Sequence, residues 1–138
     1  MARTQALMLQ IATGDPRPIS KQIVDGVRRA VATGELAPGA QLPSVRGLAT
    51  QLSINPNTVA KAYAELESQG VIETIAGKGC FVRAGESPLR KDVRRRLVSE
   101  RIDDAVIHAH HLQIDKPDFI RLAEERFDAL DRKRAANA

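Results

Sequence analysis

Three polar or cationic side chains, Asn57, Thr58 and Lys61, lie within five residues of one another at the start of a predicted helix. Side chains of these types bond to phosphate oxygens or to the edges of bases. The first turn of a helix also carries the positive end of the helix dipole. This combination suits a groove lined with phosphates. Asn57 has a second interpretation, because its amide could instead help to cap its own helix.

The helix that positions these side chains is predicted to run from Asn55 to Gln69. Asn55 is a suitable N-cap, because its side-chain oxygen can accept from the free amides of the first turn. Pro56 suits the first helical position, and Gly70 can adopt the left-handed conformation that ends a helix. Helical spacing predicts that one face is buried. The residues of that face are Val59, Ala62, Tyr63 and Leu66.

A shorter helix is predicted from Ser44 to Leu52, with Ser44 as its N-cap and Arg46 in its first turn. Only Ser53-Ile54 separates it from the helix that begins at Asn55. Two helices joined by so short a turn are typical of a helix-turn-helix. A further amphipathic helix is predicted from Pro18 to Thr33, and a short extended segment is predicted over Leu7 to Ile11.

After these helices the hydrophobic period becomes strand-like. Segments 71–75 and 80–83 flank Ala76-Gly77-Lys78-Gly79, which predicts a β-hairpin with a glycine-rich, cationic tip. Such a tip lets backbone amides and Lys78 approach a phosphate, although turn geometry alone would also explain the glycines. A helix-turn-helix followed directly by this hairpin predicts a winged helix-turn-helix.

Beyond a predicted domain boundary, which separates residues 1–84 from 85–138, two more amphipathic helices are expected. One begins with Ser87-Pro88 and reaches about His110, and Asp115 caps the other. Neither helix can bury its apolar stripe alone, so both must pack on the first domain or on another subunit. The basic run from Arg90 to Arg96 is more typical of a solvated helix face, but contact with flanking DNA stays open.

Composition limits the function classes. A net charge of +4 and a pI near 9.6 favour an anionic partner only weakly, because a solvated basic surface has the same effect. The single cysteine, Cys80, cannot form an internal disulfide and fits a reducing compartment. No signal peptide or membrane span is recognisable, so a cytoplasmic, nucleoid-associated protein with no membrane partner is expected.

Catalysis and metal binding are not indicated. No set of residues has the spacing of a catalytic site, so an enzyme is not expected and neither is a cofactor. His108, His110 and His111 lack a second cluster of metal ligands at a convincing distance in the chain. Cationic side chains near a helix C-terminus need no metal.

The segment Pro18 to Val82 closely resembles the DNA-binding domain of the GntR family of bacterial transcription regulators. Its motifs are specific in combination: GELAPGAQLPSVRGLA, NPNTVAKAYAELE and GKGCFV. Together with a short two-helix tail, NPNTV resembles the YtrA-like subfamily. The resemblance implies a mainly α fold with a small β-hairpin, in which a winged helix-turn-helix is followed by two C-terminal dimerisation helices.

The resemblance also implies roles for individual residues. Arg46 matches the DNA-contacting arginine of the family motif, while Gly47 stands where a glutamate often completes a capping box with Ser44. The DNA-binding residues expected are Ser44, Arg46, Asn57, Thr58, Lys61, Gly77, Lys78 and Gly79. The dimerisation residues expected are Val93, Leu97, Ile102, Val106, Phe119, Ala123 and Phe127.

The function predicted from residues and resemblance together is that of a sequence-specific, DNA-binding transcriptional regulator. It is expected to be a repressor that binds a palindromic operator as a homodimer and controls a transporter operon. Two alternatives stay open: a non-specific architectural nucleic-acid-binding protein, and a protein-interaction module whose DNA-binding domain is degenerate. A small-molecule effector, if one exists, would bind between domains.

Overall fold

The computed structural model of the chain describes Leu9 and residues 14–138. It divides into two compact units, Met1–Ser87 and Pro88–Ala138. Unit 1 contains α1 (Ile19–Thr33), α2 (Val45–Leu52), α3 (Pro56–Ser68), β1 (Ile72–Ile75) and β2 (Gly79–Val82). Unit 2 contains α4 (Lys91–His111) and α5 (Lys116–Ala136). None of the described helices is long and apolar enough to cross a membrane. Apart from Leu9, the extended segment predicted over 7–11 lies outside the described residues.

The core of unit 1 is aliphatic and forms where α1 and α2 pack against α3. All four residues of the predicted α3 stripe are buried, which confirms the helical spacing deduced for this segment. Tyr63, the one aromatic member of the stripe, is only 4% exposed. The largest fully buried side chains are Ile23, Leu36, Leu48, Leu66, Ile72, Val24, Val27, Val59 and Val82.

The helix ends of unit 1 follow the local signals. The Ser44 hydroxyl accepts from the Gly47 amide at 2.9 Å, so the α2 cap forms although Gly47 has no side chain to complete a capping box. The Asn55 side chain accepts from the Asn57 amide at 2.8 Å and caps α3. Gly70 has a φ of 76°, which confirms the left-handed conformation expected after α3.

The segment before α2 pairs with the hairpin, an arrangement that was not expected. The Leu42 amide donates to the Cys80 carbonyl at 2.8 Å, and the Val82 amide donates to the Ala40 carbonyl at 2.8 Å. Gln41 forms an isolated antiparallel bridge with Phe81. The two-stranded antiparallel hairpin, in which Ile72 pairs with Val82 and Ile75 with Gly79, is therefore fixed to the chain that enters α2.

Tyr63 makes a second connection to the same segment. Its hydroxyl donates to the carbonyl of Pro43, with 2.8 Å between the oxygens. Burial raises the pKa of the Tyr63 hydroxyl well above its ordinary value, and the charge of a nearby Cys80 thiolate would raise it further. The hydroxyl therefore stays protonated and remains a donor.

Unit 2 differs from expectation at one helix start. Helix α4 begins at Lys91, with an extended Arg90 as N-cap, and not at Ser87-Pro88. The fixed φ of proline suits extended chain as well as a first helical turn, so the Ser-Pro signal was ambiguous. Helix α5 is capped as predicted, since Asp115 accepts from the Asp118 amide at 3.1 Å.

Many large apolar side chains of α4 and α5 are exposed. Phe127 is 71% exposed, and the buried residue of these two helices is Ala109. The other exposed large apolar side chains are Leu97, Val98, Ile102, Val106 and Ile107 of α4, Leu112 just after α4, and Ile120 and Leu122 of α5.

We expect Tyr63→Phe to lower the free energy of unfolding by about 1 kcal/mol, because the part-buried Pro43 carbonyl loses its donor. Urea unfolding followed by circular dichroism measures the change. Ser68→Ala is the matched control, since it removes a hydroxyl that donates to the Glu65 carbonyl in an exposed position. An equal loss in both variants would contradict the importance given to the Tyr63 bond.

Candidate nucleic-acid interface

The turn between α2 and α3 sets where the exposed start of α3 lies. Ser53 ends α2 in the left-handed conformation, with a φ of 55°, and the Ile54 amide donates to the Ala49 carbonyl at 3.0 Å. The chain then extends through Asn55 directly into the first turn of α3. This tight connection is the helix-turn-helix predicted from the sequence, and residues 55–57 at the start of α3 are exposed.

The first turns of α3 present polar side chains on the face opposite the core. Asn57 and Lys61 are one helical turn apart and exposed, whereas Thr58 lies at the edge of the buried stripe and is half-buried. The backbone N–H of Asn57 donates to the side chain of the N-cap residue Asn55. The side chain of Asn57 makes no hydrogen bond within the described part of the chain. The same holds for the ammonium group of Lys61. These donors are therefore available to a ligand.

The start of α2 adds a second group of donors. Ser44 and Arg46 are both exposed, and Arg46 has no acidic partner in the part of the chain that the structure describes. The Ser44 hydroxyl accepts one bond from the Gly47 amide and keeps its own proton for a further acceptor. A hydroxyl and a guanidinium at a helix start form a suitable site for phosphate.

The hairpin tip has the geometry expected of a wing. The Lys78 amide donates to the Ile75 carbonyl at 2.9 Å and closes the turn. Gly77 and Gly79 have φ values of 76° and 115°, a region that favours glycine. All three predicted tip residues, Gly77, Lys78 and Gly79, are exposed, although Gly79 belongs to β2.

Gln41 supports the predicted wing tip, a contact that sequence reasoning missed. Its side-chain amide donates to the Lys78 carbonyl at 2.9 Å, and this bond ties the wing tip to the segment before α2. A Cβ at Gly79 would lie 3.0 Å from that amide nitrogen, so the Gln41 side chain would have to shift; the positive φ of Gly79 is the stronger reason for glycine there. The alternation of buried Ala40, half-buried Gln41 and buried Leu42 is a strand pattern that indicates an extended segment here, but it does not indicate the partner of that segment.

The remaining charged groups that the sequence singled out lie in unit 2. Arg90 pairs with Asp92 at 3.2 Å, and Arg96 pairs with Glu100 at 3.8 Å. Such exposed ion pairs are typical of a solvated helix face. His108, His110 and His111 occupy the last turn of α4. Among the described residues, no three His, Cys, Asp or Glu side chains converge on a common point.

A helix-turn-helix with a free cationic face on its second helix, flanked by a cationic hairpin, defines a winged helix-turn-helix, which is a DNA-binding class of domain. Residues 19–82 match the family described as bacterial regulatory proteins of the gntR family. The chain belongs to this family of transcription regulators. Its members are DNA-binding regulators.

Relatives and solved structures agree with this assignment. The chain is 36% identical over 108 residues to the transcriptional repressor YtrA of Bacillus subtilis, covering 78% of this chain and 83% of the relative. It is 32% identical over 95 residues to the mannosyl-D-glycerate transport/metabolism system repressor MngR of Escherichia coli, covering 68% of this chain and 39% of that protein.

Two solved structures extend the similarity over both units. YtrA from Sulfolobus acidocaldarius, a GntR-family transcription factor, has a TM-score of 0.62 at 30% identity, covering 89% of this chain and 99% of that one. A transcriptional antiterminator from Listeria monocytogenes has a TM-score of 0.77 at 31% identity, covering 92% and 94%. The mainly helical fold with one small antiparallel sheet and a YtrA-like tail is therefore confirmed.

We expect Arg46→Ala and Lys61→Ala each to weaken DNA binding, by about 1–3 kcal/mol where the side chain contacts a base. A phosphate contact would instead lower affinity evenly across sequences and reduce the salt dependence by about one counterion. Fluorescence-anisotropy titrations at several salt concentrations distinguish these two roles. Lys133→Ala, which removes an exposed lysine of α5, is the control. Unchanged affinity in both test variants would contradict the roles assigned to them.

Proposed function

We propose that this regulator is a repressor that binds a palindromic operator as a homodimer. The observation that carries the proposal is the exposed face of α3, where Asn57 and Lys61 keep unpaired donors opposite the buried stripe. Placed in a major groove, this face would meet base edges, with Arg46 beside it. Lys78 at the wing tip would contact the neighbouring phosphates.

Residues 1–84 would then bind DNA, and residues 85–138 would dimerise. The tail exposes apolar side chains that water solvates poorly, and burying each large one would contribute roughly 1.5–3 kcal/mol. A second copy of the chain carries the same face, so one symmetric contact would cover both. The residues we place in this interface are Val93, Leu97, Ile102, Val106, Phe119, Ala123 and Phe127.

A two-fold dimer recognises two inverted half-sites, spaced about one turn of DNA apart. Occupancy of such a site in a promoter would exclude polymerase, which is the simplest form of repression. Two relatives are named as repressors, and one of those names refers to a transport system. These names support repression and the control of a transporter operon by this chain. The protein would act at the nucleoid, in the cytoplasm.

The architectural and interaction-module alternatives make different predictions. An architectural protein binds through charge alone and shows no operator preference. An interaction module would bind no DNA and would form a complex with another protein. The free donors at the start of α3 favour specific binding, since charge alone would not need a polar side chain such as Asn57 beside Lys61.

We expect a duplex from upstream of the protein's own gene to bind at least about 100-fold more tightly than a scrambled duplex, because base contacts add to the phosphate contacts. Anisotropy titrations with competitor DNA at two salt concentrations measure this ratio. Two protomers should bind per site, and footprinting should show inverted repeats. Equal, salt-sensitive affinity for both duplexes, together with no enriched motif in a genome-wide selection, would contradict sequence-specific regulation.

We expect Ile102→Asp and Phe127→Asp to convert the dimer to a monomer, because each places a charge in an apolar interface. Light scattering coupled to size exclusion should give the mass of two 15.0 kDa chains for the native protein and of one for each variant. Arg96→Glu, an exposed polar position of the same α4 helix, should stay dimeric. A native protein of one chain mass would disprove the dimer while leaving monomeric DNA binding to be measured separately.

A further inference from the structure

A cleft on unit 1 is lined by four arginines that the DNA-binding proposal does not use. It has a volume of about 540 Å³ and lies beside the second half of α1 and the residues that connect α3 to β1. The arginines are Arg17, Arg28, Arg29 and Arg83, and the apolar wall includes Val31 and Val71. One water molecule occupies roughly 30 Å³. The cleft is many times larger than that, so it can hold an organic molecule as well as a single ion.

One of these arginines is already neutralised. Arg17 contacts Asp15 at 2.7 Å and Asp25 at 2.6 Å. Its hydrogen bonds to Asp15 hold the pKa of that carboxyl below its ordinary value, so Asp15 keeps its charge at neutral pH. Asp25 also lines the cleft, and it would repel an anion placed beside it. An anionic ligand must therefore be held by the other three guanidinium groups.

Those three arginines have donors to spare. Arg28 and Arg29 are exposed, and neither has an acidic partner among the described residues. Arg83 makes a long ion pair with Glu73, at 3.8 Å. Its Nε is buried and has no acceptor in the part of the chain that the structure describes. A guanidinium in this state gains more from a well-placed oxyanion than one whose hydrogen bonds are complete.

The cleft lies far from the residues assigned to DNA. Gly70 and Val71 follow the end of α3, and the 13 residues of that helix span about 20 Å from its DNA-facing start. Arg83 follows β2, and the four residues of that strand place it about 13 Å from the wing tip. The arginines of the cleft therefore need a different explanation from those of the DNA surface.

We propose that this cleft binds a small organic molecule that carries about two or more negative charges on its oxygen atoms, such as a phosphate monoester or a tricarboxylate. Arg28, Arg29 and Arg83 hold the oxyanions, because the planar guanidinium fork matches carboxylate and phosphate groups. The carbon skeleton of the ligand packs against Val31 and Val71. The site lies wholly within unit 1, so it does not depend on the form of the operator or on dimerisation.

The test is a titration of the full-length, ¹⁵N-labelled protein with glycerol 3-phosphate and, separately, with citrate. Sodium chloride keeps the ionic strength constant. The Nε–H signals of arginine report the site directly, since the buried Nε–H of Arg83 is protected from solvent exchange. We expect either probe to give saturable shifts at Arg28, Arg29 and Arg83 and none at Arg101, an exposed arginine of α4. The probe that binds more tightly identifies the class of anion.

Three variants make the result specific to the cleft. Arg28→Ala combined with Arg29→Ala should weaken the tighter probe at least about tenfold, since a hydrogen bond between charged groups is worth roughly that factor. Arg83→Lys keeps the charge and should also weaken binding, because it loses the fork. Arg101→Ala should bind as the native protein does. Amide spectra of all variants establish that they are folded.

Two outcomes would overturn the proposal. One is the absence of saturable shifts with both probes, or shifts that sodium chloride alone reproduces at the arginines of both units. The other is that the three arginine signals move only when duplex DNA is added, which would place the cleft in the nucleic-acid surface. Neither outcome alters the operator measurement, so the two proposals fail separately.

Discussion

The burial of one face of α3 is the interaction on which the rest of the structure depends. Val59, Ala62 and Leu66 are fully buried against α1 and α2, and Tyr63 is nearly so. A helix held by one face must present its other face to solvent, and here that face begins with the polar residues of the DNA surface. The cost of exposing the apolar stripe keeps the helix from rotating, so packing energy determines which side chains a DNA groove would meet.

The wing and the helix-turn-helix behave as one unit because the same short segment contacts both. Residues 40–42 pair with β2, Gln41 supports the Lys78 carbonyl, and the next carbonyl along, that of Pro43, accepts from Tyr63. A displacement of the wing would break backbone hydrogen bonds close to the start of α2. This arrangement keeps the predicted contacts to base edges and to phosphates in register with each other.

Charge and apolar surface are divided between functions. The cations at the starts of α2 and α3 and at the wing tip have no acidic partners among the described residues. They are therefore available to bind a polyanion such as DNA. The apolar side chains exposed on α4 and α5 suit a partner helix, because apolar area gains most when another apolar surface covers it. The arginines of the cleft beside α1 form a third group, which we assign to a small anion.

The sequence by itself determined the local elements. The caps at Ser44 and Asn55 and the hairpin depend on residues within a few positions of one another, so their signals survive without a three-dimensional context. The Ser87-Pro88 signal failed because the preferred φ of proline suits two conformations. Which residues contact DNA stays a prediction, since neither pattern nor fold measures binding. Only the tertiary structure brought Gln41 to Lys78, 37 residues away, and Arg28 to a cleft shared with Arg83. Such contacts depend on how the whole core packs, and no local pattern in the chain encodes them.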